Sequence, residues 1–440
     1  MPDAVSSYDY RYVEGMPLRP APLRDEATWR TLRENLYRPF MTIPATWEDT
    51  PQTRLLDDHM WEGDPLMDDV VALFERIGTK PARGLFEQAL IHGIDSLEDP
   101  PDEFVALFAQ VDRHPDWFDP AVAERGRFAL SRTTGAAKLA SYSFGVFATA
   151  MEEDVSAATG ATGRLVRNPV LRAAESLQFF EQVTYRGVLD RGSPMFHTVI
   201  RVRLMHALVR RGLRRRWGVE NFERHGMPIS NTNMGAGSAW FSSMPPLMDH
   251  FLGRPVRMAD LDDITIHWGY LLYLFGTAER IIPKTGIESI HLANHVFASA
   301  GSPARWRPEL AEALLLPFTD SVGTLGGKAA ARAFLGAAGM ALGTDQLARF
   351  VAGTKFEPIN VARYARVYEA SARAAARFAR AKDGAIARGL LTPKPNDADP
   401  WFVRNGKVIG KWAAKNGVHV TPYTHHDESV AGSAFARQPA

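Results

Sequence analysis

The residues best suited to chemistry are one histidine and two arginines on a predicted helix. Ser193 as N-cap and Pro194 at the first helical position begin this helix, which we expect to run to about residue 217. His206 falls within its apolar stripe and therefore points inward. Arg203 lies three residues before His206 and Arg210 four residues after it, on neighbouring turns. The helix thus offers one buried potential ligand flanked by two cations.

This spacing fits two kinds of site. A buried imidazole can bind haem iron through one nitrogen and donate from the other to a backbone carbonyl one turn back, while the arginines neutralise the haem propionates. A core histidine satisfied by a hydrogen bond, on an arginine-rich helix, is the commoner explanation for a single buried histidine. The run RRGLRRRW after His206 is best explained by cations that favour the helix dipole at a C-terminal turn. Spacing alone leaves both kinds of site open.

The composition limits the chemistry that is available. The chain has 440 residues, of which 45% are hydrophobic and 23% charged, as in ordinary globular proteins, and it has no cysteine. The lack of cysteine excludes disulfides, Cys-ligated zinc, iron–sulfur clusters, thiolate-ligated haem and covalent c-type haem. The formal charge is 51 − 50 = +1, which argues against nucleic acid as a partner. Any metal therefore needs histidine, carboxylate or another oxygen ligand.

Helices are predicted to position these residues. Apolar residues recur at helical spacing along most of the chain, for example after Asp64 as N-cap and Pro65 at the first helical position, with Gly78 as the stop. Alternating strand patterns are scarce. We therefore expect an all-α fold.

No segment predicts a membrane span or an export signal. The most apolar window, residues 264–275, is too short to cross a bilayer. The N-terminal sequence lacks a basic region followed by an apolar run. We expect a cytoplasmic protein with no transmembrane segment, while peripheral membrane contact through apolar patches stays open.

Three segments in order resemble one known family. The stretch RVRLMHALVR, the GMPISNTNM turn at Gly226 and the run IHWGYLLYLFG are similar to the oxygenases that include MpaB-type proteins and bacterial latex clearing protein. The resemblance, over roughly residues 60–300, implies haem b, a globin-like helical core and an Arg-x-x-His-x-x-x-Arg helix that supplies the proximal ligand. Arg203, His206 and Arg210 match this pattern. His206 is thus the implied axial ligand of the haem iron, with both arginines supporting the cofactor.

The resemblance also implies residues for the distal side of the haem. Rubber-cleaving members carry Arg-x-x-Lys-Thr there, whereas this chain has Arg172, Glu175 and Ser176 at the corresponding positions. A carboxylate can accept a proton or coordinate ferric iron, which an ammonium cannot do. These three residues are therefore the implied catalytic group, with chemistry different from rubber cleavage. An ordinary salt bridge one helical turn long is the other explanation for Arg172 and Glu175.

The predicted organisation has a core and two extensions. We expect an N-terminal arm over residues 1–60 with a short helix near residues 26–37, and a haem-binding globin-like core over residues 61–300. Additional helices over residues 301–395 are predicted to pack on the core as a lid or an oligomer surface. An extended tail is expected over residues 396–440 because that segment mixes proline, glycine and polar residues.

Two other histidine groups are weaker candidates. His267, on an apolar helix, is either a hydrogen-bonded core residue or part of the haem pocket. Glu288, His291 and His295 share one helix face and resemble half of a di-iron site, or a lesser zinc site, but no second copy of the motif is present. Two solvent-facing or hydrogen-bonded histidines explain this spacing as well.

Further motifs predict no site. Gly235 and Gly237 match part of a dinucleotide fingerprint, but no strand precedes them, so a loop or helix start is expected. His425 and His426 are expected to be exposed in the polar tail.

The predicted function is therefore a haem b oxygenase. It would use O₂ at a His-ligated iron to oxidise or cleave a small apolar or unsaturated organic substrate, with an electron donor as a further partner. A non-catalytic haem-binding or redox-sensing protein is the first alternative. A non-haem di-iron helical enzyme is the second.

Overall fold

The computed structural model describes residues 29–43, 50–151, 155, 164–298, 307–320, 325–357 and 360–415. Within these ranges the chain forms nineteen α-helices, a short 3₁₀ turn at Ile94–Ser96 and no β-strand, which confirms the all-α prediction. The first helices are α1 (Arg30–Leu36), α2 (Pro51–Asp58), α3 (Pro65–Ile77), α4 (Thr79–His92), α5 (Asp102–Val111), α6 (Pro120–Ser131) and α7 (Gly135–Met151). The central helices are α8 (Arg164–Arg167), α9 (Pro169–Gln182), α10 (Pro194–His225), α11 (Asn231–Ala239), α12 (Met244–Phe251), α13 (Met258–Leu274) and α14 (Gly286–Ala298). The last helices are α15 (Arg307–Asp320), α16 (Leu325–Leu342), α17 (Thr344–Val351), α18 (Val361–Ala387) and α19 (Pro400–Lys415).

The helix signals in the sequence act as predicted at the helices that build the site. Asp64 caps α3 by accepting a hydrogen bond from the Met67 backbone N at 3.3 Å, and Gly78 follows its last residue with φ of 93°. Ser193 Oγ accepts a hydrogen bond from the Phe196 backbone N at 3.0 Å at the start of α10. That helix continues to His225, beyond the end expected near residue 217.

The two ends of the chain differ from the prediction. Helix α1 corresponds to the short helix expected in the arm, α2 is a second helix before residue 60, and α19 lies within the expected extended tail. A local cap starts α19, because Asp399 Oδ1 accepts a hydrogen bond from the Trp401 backbone N at 2.9 Å. A buried ion pair adds to it, with Lys138 Nζ of α7 2.6 Å from Asp399 Oδ2. Composition did not predict this helix because its anchoring partner lies about 260 residues away in the sequence.

Two apolar clusters form the core. One contains residues of α7, α12, α14, α16 and α17, including Phe144 and Phe297, and the other contains residues of α3, α4, α5, α10 and α13, including Phe196 and Tyr273. Phe241 packs against both clusters. Helix α10 packs mainly on α3 and α13, whereas α9 packs on α15 and α19. Among the described residues, no helix is long and apolar enough to cross a membrane.

Candidate functional site

His206 lies near the middle of α10 and faces the interior. Burial, strengthened by the charges of Arg210 and Arg172, lowers the pKa of its imidazole from the usual 6.5 to about 3, so the ring is neutral. The ring makes no hydrogen bond to the residues that the structure describes, so the bond expected to the carbonyl one turn back is not formed there. Its side chain is nevertheless only half-buried by accessible surface. The imidazole of His206 is therefore neutral, surrounded by protein and still partly accessible.

Phe275 connects His206 with helix α9. Its ring centroid lies 5.8 Å from that of His206 and 6.1 Å from that of Phe179. Phe179 follows Glu175 by four residues and Arg172 by seven, so these three side chains share one face of α9. That face is therefore directed toward His206.

Arg172 and Glu175 form a partly buried pair on this face. Arg172 Nη1 lies 3.8 Å from Glu175 Oε2, and the two side chains are 38% and 13% exposed. The charge of Arg172 contributes to the lowered pKa of His206, which places its guanidinium within electrostatic reach of the imidazole. Ser176 is half-buried and follows Arg172 by four residues on the same face. The structure thus brings the predicted distal group and His206 to one region.

Aromatic rings extend from this region into the core. Phe179 meets Phe180 edge-on at 5.5 Å between centroids. Phe180 stacks on Phe241 at 3.7 Å, and Phe241 is nearly parallel to Trp268 at 6.1 Å. These rings pack on one another and connect the region beside His206 with the apolar core.

Arg203 does not face this region. Its guanidinium is 1% exposed and holds Asp64 at two points, with Nε 2.6 Å from Oδ2 and Nη2 2.9 Å from Oδ1. Its Nη1 donates to Gln110 Oε1 at 2.7 Å and to the Leu274 carbonyl at 3.2 Å. Gly276, with φ of +78°, lies against this ion pair, and a Cβ there would collide with the Asp64 carboxylate. Arg203 therefore fastens α10 to α3 and α13.

Arg210 is also held by an acidic residue of α3. Its Nε lies 3.0 Å from Asp68 Oδ1, and its Nη1 donates to the Ile229 carbonyl at 3.1 Å. Its buried Nη2 has no hydrogen-bond partner among the described residues. Burial outweighs the attraction of Arg210 and raises the pKa of Asp68 to about 6. Arg210 thus combines a structural role with one unused donor, a single helical turn from His206.

Comparison with known proteins identifies the family. The family described as "ER-bound oxygenase mpaB/B'/Rubber oxygenase, catalytic domain" matches residues 133–397. The chain belongs to this family. A structure titled "Structure of Latex Clearing Protein LCP in the closed state" is similar to it with 17% identity and a TM-score of 0.50, over 81% of this chain and 91% of that chain. At this identity the likeness shows the fold alone. No match was found among curated proteins.

Membership in the mpaB/rubber oxygenase family confirms the resemblance in the sequence and makes the protein an oxygenase, hence an oxidoreductase. The matched region contains His206 and the α9 group of Arg172, Glu175 and Ser176. It begins after the acidic residues of α3 that hold Arg203 and Arg210, so those partners belong to the part of this chain outside the family match.

His267 lines a cavity to which His206 does not contribute. This cavity, of about 230 Å³, is lined by His114, Tyr270, Arg127 and Glu124 among others, and by none of the other predicted site residues. Burial lowers the pKa of His267 to about 4, with a further contribution from Arg127. The structure therefore does not bring His267 together with His206.

The remaining candidates do not converge either. Glu288 is exposed and accepts a hydrogen bond from the Lys284 backbone N at 2.7 Å, whereas His295 is buried and His291 half-buried. In the described part of the chain no three acidic or histidine side chains group together as metal ligands would. Gly235 and Gly237 lie in helix α11, as the expected helix start predicts. His425 and His426 lie outside the described residues.

Sequence reasoning missed the acidic residues and the aromatic rings. The sequence predicts Asp64 only as a helix cap and predicts no role for Asp68, although DPLMDD places both on adjacent turns of one helix. Phe275 lies at the end of the apolar run 264–275, where nothing local separates a site residue from core. Only the tertiary arrangement of α9, α10 and α13 reveals its position.

Proposed function

We propose that this family member is a haem b-dependent oxygenase in which His206 is the axial ligand of the iron. The observation that carries the proposal is His206 itself, a neutral and partly accessible imidazole that makes no hydrogen bond to a described residue. A neutral imidazole is the form that binds iron. Haem b would supply dioxygen activation at this position.

The surrounding residues fit such a group. The rings of Phe275 and Phe179 make the region beside His206 apolar, as a macrocycle or an apolar substrate requires. The unused Nη2 of Arg210 and the half-exposed guanidinium of Arg172 are donors for carboxylates. Arg203 has its donors committed elsewhere and acts by fixing α10.

The distal group has the chemistry of proton handling. The Glu175 carboxylate can take up or return a proton at Oε2, and Arg172 at 3.8 Å holds that oxygen in place by its charge. The Ser176 hydroxyl can donate to or accept from a polar atom on the same face. The substrate class proposed is a small apolar or unsaturated organic molecule, with O₂ and an electron donor as further partners.

The test is the haem content of the His206→Ala variant. Protein expressed with adequate haem should show a Soret band and a pyridine haemochrome of haem b, and His206→Ala should lose both while keeping its helical circular dichroism. His267→Ala removes another buried histidine that lies in a separate cavity, so it should keep the haem. Parent protein without haem, or equal haem in parent and His206→Ala, would contradict the proposal.

A second variant tests the distal group. Glu175→Gln keeps the size of the side chain but cannot accept a proton, so it should retain haem and lose roughly 100-fold or more in the rate of O₂ consumption with a substrate. Full activity of Glu175→Gln would remove Glu175 from the catalytic group and leave the axial ligand unaffected.

A further inference from the structure

Helix α18 buries one face and exposes the opposite one. Its buried residues follow the spacing of a single stripe, Ala365, Tyr368, Ala372 and Ala376, and pack against α16 and α7. The large apolar side chains on the opposite side of the helix are exposed. No described residue packs over them.

An apolar stripe runs along this exposed face. Val367 is 64% exposed and Phe378 is 77% exposed. They are eleven residues apart, so they point in nearly the same direction, and Ala374 and Ala385 lie on the same line. Single exposed apolar residues are common, but an aligned pair with an aromatic member is not explained by folding.

The C-terminal end of α18 adds a leucine to this stripe. Gly389 has φ of +71° and its N bonds to the Ile386 carbonyl at 2.9 Å, while the Leu390 N bonds to the Ala385 carbonyl at 2.9 Å. This pair of bonds is a Schellman motif, which places Leu390 beside Ala385 and so beside the apolar stripe. Leu390 is 70% exposed, and Leu391 after it is 49% exposed.

A basic stripe lies next to the apolar one. Arg366, Arg377 and Arg388 are all exposed and follow each other at intervals of eleven residues, one position before Val367 and Phe378 in the first two cases. None of the three forms an ion pair with a described residue. The acidic residues of α18 are committed to other arginines, Glu369 to Arg373 and Asp383 to Arg132 and Arg254. The positive charge of the basic stripe is thus uncompensated locally.

We propose that this face of α18, together with Leu390 and Leu391, binds the surface of an anionic lipid bilayer. Phe378 and the leucines would enter the boundary of the acyl chains while the arginines meet the lipid phosphates, the arrangement of interfacial amphipathic helices. An antiparallel pairing with a second copy fits this face poorly, because it would set one basic stripe beside the other. An acidic protein or nucleic acid would use the arginines and leave the apolar stripe in water.

The test is flotation of the whole protein with lipid vesicles. The parent should float with phosphatidylcholine vesicles that contain phosphatidylglycerol, should not float with phosphatidylcholine alone, and should be released by high salt. Arg366→Gln/Arg377→Gln/Arg388→Gln should weaken binding on the order of 100-fold, from the attraction of three cations. Phe378→Ser/Leu390→Ser should weaken binding at unchanged net charge. These side chains are exposed, so the variants should melt like the parent.

Two control variants match these changes elsewhere on the surface. Arg113→Gln/Arg125→Gln/Arg257→Gln removes the same charge from side chains that are 64%, 59% and 73% exposed. Val408→Ser removes an apolar side chain of α19 that is 61% exposed. Both controls should bind like the parent. The proposal is overturned if the parent fails to float, if the controls weaken binding as much as the stripe variants, or if Phe378→Ser/Leu390→Ser abolishes a concentration-dependent dimer instead of lipid binding.

Discussion

The buried pair of Arg203 and Asp64 offers the sharpest test of how α10 is held. Both side chains are almost fully buried, at 1% and 7% exposure, and the carboxylate receives two of the four hydrogen bonds that Arg203 donates. Arg203→Met would keep most of the apolar stem and remove the charge. The Asp64 carboxylate would then be buried without its partner, and the Gln110 and Leu274 oxygens would lose their donor.

Removing one partner of a buried ion pair costs about 3–5 kcal/mol, because the remaining charge stays desolvated. We expect a loss of this size in the free energy of unfolding for Arg203→Met. Asp64→Asn/Arg203→Met removes both charges, and an amide at position 64 can still cap α3. The double variant should therefore be roughly 1–3 kcal/mol more stable than Arg203→Met alone, because no unpaired charge is left buried. Arg125→Met is the matched control, because Arg125 also holds a carboxylate, that of Asp263, at two points but is 59% exposed. Its loss should stay within about 1 kcal/mol.

The assay is urea unfolding followed by far-ultraviolet circular dichroism, with the slope on denaturant compared between variants. If Arg203→Met and Arg125→Met lowered the free energy of unfolding by the same amount, the claim that burial makes the Arg203–Asp64 pair critical for stability would be refuted. The haem spectrum is a second readout, which distinguishes a role of Arg203 in holding α10 from a direct contact of Arg203 with the proposed haem. If Arg203 acts only by fixing α10, Arg203→Lys should destabilise the fold and leave the haem spectrum of the folded fraction unchanged.

Three further predictions concern stability. In haem-free protein, burial lowers the pKa of His59 and of His267 to about 4 and that of His206 to about 3, so each loses up to about 3 kcal/mol of stability as pH falls from 6.5 to 4. Asp68, with its pKa raised to about 6, returns up to about 3 kcal/mol in that range. Urea unfolding of the haem-free protein at both pH values should thus show a net loss of about 6 kcal/mol, and a gain would contradict it. Gly276→Ala should lower the free energy of unfolding by about 3 kcal/mol, because φ is positive there and a Cβ would collide with the Arg203–Asp64 ion pair. The same assay on Gly237→Ala is the control, since a Cβ at Gly237 meets no other atom. Asp399→Asn should cost about 3 kcal/mol by stranding its buried lysine partner, with a lowered melting temperature as the readout and an unchanged one as the refutation.

The sequence predicts those features that local rules determine. The start of α3 at its aspartate cap, the start of α10 at Ser193 and the inward direction of His206 all follow from spacing over a few residues, and the structure has each of them. The face of α9 that carries Arg172 and Glu175 was predicted from the family resemblance and is directed toward His206 through Phe275.

Features that depend on distant partners could not be predicted. Arg203 and its aspartate are 139 residues apart, so the spacing on α10 suggested a cofactor contact where the fold makes an ion pair between helices. His267 lies on a helix that is apolar on nearly every side, and periodicity therefore gave no direction for its ring. The helix α19 depends on a buried lysine of α7, which no local pattern connects to it.

The two helices that carry the candidate site residues pack against different neighbouring helices. His206 is carried by α10, which α3 and α13 hold through buried ion pairs and apolar contacts. Arg172 and Glu175 are carried by α9, which rests on α15 and α19, and a Cβ at Gly406 of α19 would collide with Glu181 of α9. A change in α19 should therefore affect the positions of Arg172 and Glu175 more than that of His206.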